Sequence, residues 1–147
     1  MAMLWIMLAF VAGGLLAIQA SFNVMLAEGS GGPVWGALLS FVVGSIAIAL
    51  MLAVAGAPLP RWPSLASMPP WAWLGGVCGA AYVTGVIAIS PRLGLAATMA
   101  LIVAGQTIGA LLIDHFGLLG FAVHPANLLR LAGAGLLVGG VALIRLF

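Results

Sequence analysis

The side chains able to do chemistry in this chain are few, and the most telling carry no charge. Gln106 and Thr107 sit near the middle of a run from Leu93 to Ile113 that holds no charged residue. About twenty such residues are needed to cross a bilayer, and an amide at that depth is unfavourable unless something bonds it. Gln19 and Asn23 repeat the theme near the N-terminus, one helical turn apart and so on one face of a helix. A primary amide both donates and accepts hydrogen bonds. Such groups can hold a solute, or they can tie two helices together with about 0.6 kcal/mol per bond; for Gln19, Asn23 and Gln106 both uses stay open. Ser40, Tyr82 and Thr84 are weaker candidates of the same kind, as is Thr107. Serine and threonine hydroxyls can bond a carbonyl of their own helix.

Covalent chemistry has no such support. The sequence holds no nucleophile with a partner base, no His/Cys cluster at metal-ligand spacing and no phosphate-cradling glycine loop. The expectation is a protein that is not an enzyme, has no catalytic residues, and carries no metal and no cofactor. Cys78 is alone, so no disulfide can form within the chain; it reads as packing. His115 and His124 read as solvated loop residues. Glu28 and Asp114 are the two acids, and neither is mid-span. Asp114 lies eight residues beyond Gln106, about 12 Å along a helix. It has two readings: an ion pair with Arg130, or a coupling or cation-attracting site at a cavity mouth. In both cases the centre of the membrane region is neutral, and it suits a solute recognised by hydrogen bonds and apolar contact.

The elements that must position these groups follow from composition. Of 147 residues, 65% are hydrophobic and 4% charged, with a mean hydropathy of +1.36. A soluble domain carries about 25% charged residues, so this chain cannot cover its surface in water and belongs in a membrane. Its net charge of +2 rests on four basic residues, all arginine, which is no nucleic-acid footprint. The 147 residues read as one transmembrane domain of five helices, roughly 3–26, 34–55, 71–89, 93–113 and 127–146, with no room for a soluble domain. The first run is longer than the usual signal-peptide core of about 7–15 residues, and no Lys or Arg precedes it; it reads as a retained helix. Glu28 to Gly32 make the first turn and Pro33 opens the second helix. Pro58, Pro60, Pro63, Pro69 and Pro70 mark an interfacial loop, and Ser90 and Pro91 end the third helix. Trp5, Trp35, Trp62, Trp71 and Trp73 fall near span ends, at headgroup level. Two GxxxG pairs, Gly105 with Gly109 and Gly135 with Gly139, have the spacing that lets helices touch backbone to backbone.

Five spans put the termini on opposite sides of the bilayer. Arg61 and Arg130 then share one side, and Arg92 and Arg145 the other, so the positive-inside rule assigns no orientation. Other cues could fix one topology. Alternatively the chain inserts both ways and pairs head to tail, which its shortness favours: five helices barely enclose a cavity, whereas ten in two inverted sets match the inverted repeats of larger transporters. In such a pair the twofold axis lies in the membrane plane. Two protomers of unequal conformation can then exchange roles and turn an inward-open state into an outward-open one.

Several segments carry a family resemblance. Gln19-x3-Asn23-x2-Leu26, Ser40-Phe-Val-Val-Gly44, Gly75-Gly76, Pro91-x2-Gly94-x2-Ala97, Gly105-Gln106 and Asp114-x2-Gly117 together resemble the YdcZ-like branch of the drug/metabolite transporter superfamily, over nearly the whole chain. The resemblance implies a five-helix half-size transporter in the bacterial inner membrane, related to ten-helix exporters built from two inverted five-helix repeats. It also implies recurrent polar positions at Gln19, Asn23, Ser40, Gln106 and Asp114. The combined expectation is an all-α, multi-pass exporter of a small organic solute, working by alternating access as an antiparallel homodimer. Its partners are a second copy of itself, a small-molecule substrate and the lipid bilayer. Gln19, Asn23, Ser40, Tyr82 and Gln106 would line the path, and Gly105, Gly109, Gly135 and Gly139 would pack helices. A non-transporting membrane scaffold is the rival reading and expects a solid bundle; a channel expects a continuous open pore.

Overall fold

The computed structural model describes residues 2–147. Six α-helices follow one another: α1 (Ala2–Ser30), α2 (Pro33–Val54), α3 (Trp62–Ala66), α4 (Leu74–Leu93), α5 (Leu95–Phe116) and α6 (Leu128–Leu146), with short 3₁₀ turns at Pro70–Trp73 and Leu118–Gly120. Among the described residues five helices are long and apolar enough to cross a membrane, α3 being the exception, and no strand is present. Most of their leucine, isoleucine, valine and phenylalanine side chains face outward. In water that would be untenable; in lipid it is the expected surface, because acyl chains are as apolar as leucine.

The helix ends differ from the sequence reading in ways the backbone explains. At 29 residues, α1 runs past Glu28 and Gly29 to Ser30. The turn is made by Gly31 and Gly32 alone, whose φ values of 93° and 143° lie where only glycine is relaxed. Both of their N–H groups donate to the Ala27 carbonyl, at 3.2 and 2.9 Å, and so satisfy the end of the helix. Pro33 then occupies the first turn of α2. Pro91 does not stop α4: it sits in the last turn, and the helix continues to Leu93. Gly94, with φ 82°, is the real stop. Its carbonyl accepts from both the amide and the hydroxyl of Thr98, at 3.1 and 2.8 Å, which opens α5. In turn, α5 runs beyond Ile113 to Phe116, and Gly117 closes it in the left-handed conformation.

The described chain divides into two compact units, Met1–Arg92 and Leu93–Phe147. In the first, α1 and α2 form a close antiparallel pair. Ala27 and Ala37 meet Ile87 of α4, with Val24 and Val83 packed around them, and this small cluster is the unit's hydrophobic core. In the second, α5 packs against α6. A groove of ≈510 Å³ lined by apolar side chains lies between these two helices, bordered by Val103, Gly133, Leu137 and Gly140.

Candidate functional site

The polar face of α1 is the centre of the first unit. Ala20, Asn23 and Ala27 recur at helical spacing and are all buried, so this stripe of α1 is turned toward its neighbours. Asn23 is 4% exposed. Gln19, one turn earlier, is exposed. Two cavities share these amides. On one side is a groove of ≈840 Å³, lined by Gln19 and Asn23 together with Ser40 of α2 and the apolar side chains of Leu16, Phe22, Leu26 and Val43, among others. On the other side, Gln19 and Asn23 meet Tyr82, Val83 and Val86 of α4 around a void of ≈10 Å³. That is the lower end of what one water molecule requires.

Of the sequence candidates, Gln19 and Asn23 therefore border both cavities, Ser40 only the groove and Tyr82 only the small void. The side chain of Asn23 makes no hydrogen bond to another described residue, nor does that of Gln19. An amide this buried and this free of protein partners is available to water or to a solute. The two cavities have no carboxylate, guanidinium or imidazole in their walls. Glu28 lines a separate cavity of ≈250 Å³ at the α1–α2 turn, beside Gly32, Pro33 and Pro91.

The second unit holds Gln106, Thr107, Asp114 and Arg130. Gln106 is exposed on α5 and is not among the residues that line the groove between α5 and α6. Neighbouring Thr107 donates to the Val103 carbonyl of its own helix at 2.8 Å. Ser21 of α1 behaves likewise toward Ala17, at 3.2 Å. Both hydroxyls are thus satisfied without any partner outside their helix.

At the loop joining α5 to α6, Arg130 Nη2 donates to Asp114 Oδ2 at 3.1 Å and Nη1 donates to the His124 carbonyl at 2.9 Å. The His124 amide bonds the Asp114 carbonyl at 2.8 Å. His115 Nδ1 accepts from the Ala126 amide at 3.1 Å, which fixes the ring as its Nε2–H tautomer. Asn127 caps α6 by accepting from the Arg130 amide at 2.9 Å. The ion pair is therefore one strand of a clasp that also ties down the loop backbone. Both histidines are exposed yet each makes a hydrogen bond, a role their sequence positions did not signal.

The helix contacts are made elsewhere than at the GxxxG pairs. A Cβ added at Gly105, Gly109, Gly135 or Gly139 would meet nothing within 4 Å. Close approach occurs instead at Gly36, where an added Cβ would lie 2.8 Å from the Ala27 backbone nitrogen.

Residues 4–143 fit the family model DMT_YdcZ, whose description reads "Putative inner membrane exporter, YdcZ". No curated protein and no solved structure matches the chain.

Proposed function

Since this chain belongs to the YdcZ family of inner-membrane exporters, we propose that it carries a small organic solute across the membrane by alternating access, as a dimer of two oppositely inserted copies. The observation that carries the reading is the Asn23 face of α1: a buried amide, free of protein partners, shared by the ≈840 Å³ groove and the small void beside Tyr82. Gln19, Asn23 and Ser40 bind the solute in the groove of the first unit, with Tyr82 behind the amides at the small void. Gln106, an amide exposed on a membrane-spanning helix, contributes to the same path once a second copy covers it. An uncovered amide facing hydrocarbon would be unfavourable. The open glycines Gly105, Gly109, Gly135 and Gly139 supply the surface on which that copy slides. The equal division of arginines between the two sides supports insertion both ways.

A non-transporting scaffold needs a solid bundle, and the large groove speaks against it. The test is transport. Purified protein would be screened by thermal shift against a panel of neutral and charged metabolites, and each stabilising compound would then be followed into proteoliposomes. Saturable uptake that falls at least tenfold in Gln19→Ala and Gln106→Ala supports the proposal. Uptake unchanged by both substitutions, or none above empty liposomes for any stabilising compound, overturns it.

A further inference from the structure

We propose that the solute is uncharged, with an apolar body and a single head group that both donates and accepts hydrogen bonds, as a carboxamide does; this rests on the transport reading above. Three features of the first unit lead there. The groove of ≈840 Å³ is of the size that takes a whole drug-sized molecule. Leu16, Phe22, Leu26 and Val43 give it an apolar wall for the body of such a molecule.

Next, recognition falls to two primary amides and a hydroxyl. Gln19 and Asn23 lie one turn apart, which sets their Cβ atoms about 5–6 Å from each other, and Ser40 borders the same groove from α2. Each amide presents an N–H₂ and a carbonyl. A head group that only accepts, or only donates, would pair with only half of the amide of Asn23, a residue 4% exposed; a carboxamide pairs with both halves.

Finally, charge of either sign is rejected. No acidic or basic side chain lines the groove or the void, and the acid of this unit, Glu28, faces a different cavity. An ion entering would give up its hydration with no counter-charge to replace it.

The experiment uses three molecules of nearly one shape: indole-3-acetamide, indole-3-acetate and tryptamine. Equilibrium dialysis of each radiolabelled compound against the full-length protein in lipid nanodiscs gives its affinity, with Asn23→Leu and Gln19→Leu as variants. The amide is expected to bind at least tenfold more tightly than either ion, and both variants should lose that preference. The proposal is overturned if either ion binds as tightly as the amide, if none of the three binds, or if the preference survives both substitutions. Counterflow of the bound amide in proteoliposomes is read separately. Preferential binding without exchange upholds the ligand class and overturns transport.

Discussion

Gly36 of α2 sits against the backbone of Ala27 of α1, so close that a methyl group on Gly36 would stand 2.8 Å from both the nitrogen and the Cβ of Ala27. The Gly31–Gly32 turn brings the two helices together, and this contact fixes how near they come. Gly36→Ala must then push them apart, an overpacking that costs about 1–3 kcal/mol. Gly44, further along α2, has nothing within 4 Å of an added Cβ. Gly44→Ala is expected to leave stability unchanged or raise it by about 0.5–1 kcal/mol, the ordinary gain of alanine in a helix. Thermal unfolding in detergent separates the two. Equal melting temperatures would mean that α1 and α2 do not touch at this glycine.

Asn23 gives a sharper contrast, because stability and function should move in opposite directions. Its side chain is buried and has no hydrogen-bond partner among the described residues. Asn23→Leu breaks no hydrogen bond within the described chain and removes a polar group from the membrane-spanning region, where such groups are unfavourable. Asn23→Leu is expected to raise the melting temperature of the empty protein while transport is lost. A fall in both would make Asn23 a structural tie between helices.

The clasp on α6 is expected to be modest and salt-sensitive. The Arg130 and Asp114 side chains are 38% and 30% exposed, so water screens their attraction, and pairs of this kind contribute about 0.2–1 kcal/mol. A double-mutant cycle of Arg130→Gln with Asp114→Asn should report a coupling in that range, shrinking toward zero near 1 M salt, where the screening length is about 3 Å. Arg130→Lys should not restore wild-type stability. Arg130 serves two acceptors, the Asp114 carboxylate and the His124 carbonyl, through two nitrogens, and an ammonium does not reproduce that fork.

Insertion both ways has its own readout. A reporter active on one side of the membrane, fused to the C-terminus, should give comparable signal to its oppositely reporting counterpart. Adding two arginines beside Arg61 should bias the pair strongly to one reading, since loop charge sets orientation. In the same cells Gly109→Leu should weaken cross-linking between copies without lowering the melting temperature of the single chain, because Gly109 has open space beside it. Cross-linking that persists unchanged would place the contact between copies on another surface.

The five spans were legible because lipid imposes a crude rule: about twenty apolar residues make a crossing, and the chain offers five such runs. The ends were harder. Glu28, Gly29 and Ser30 look like turn residues, yet at a bilayer surface water satisfies an extra helical turn, and the two glycines with positive φ were enough to reverse the chain. Pro91 misled for a related reason. A proline removes one N–H donor, and in the last turn of α4 that single loss does not end the helix, which outlasts it until Gly94. The grouping of Gln19, Asn23, Ser40 and Tyr82 was only half legible. Helical spacing put Gln19 and Asn23 on one face, but nothing in the pattern said that Ser40 and Tyr82 would border it from α2 and α4. Spacing also drew attention to the mid-helix GxxxG pairs and away from Gly36, whose glycine at that spacing, Gly32, belongs to the turn; the residue that Gly36 touches is an alanine of another helix. The hydrogen bond from the Ala126 amide to His115 joins residues eleven apart through an irregular loop, and no periodicity reports on such a pair.

With 29 residues, α1 is about 44 Å long, whereas the oily slab it crosses is about 30 Å thick. A rod that overshoots its medium leans. Gln19 and Asn23 ride on this rod, so the depth of the proposed solute site depends on the lean, and the lean depends on the lipids. Thinner membranes, made from shorter acyl chains, should therefore shift the apparent affinity for solute with no change in the polypeptide.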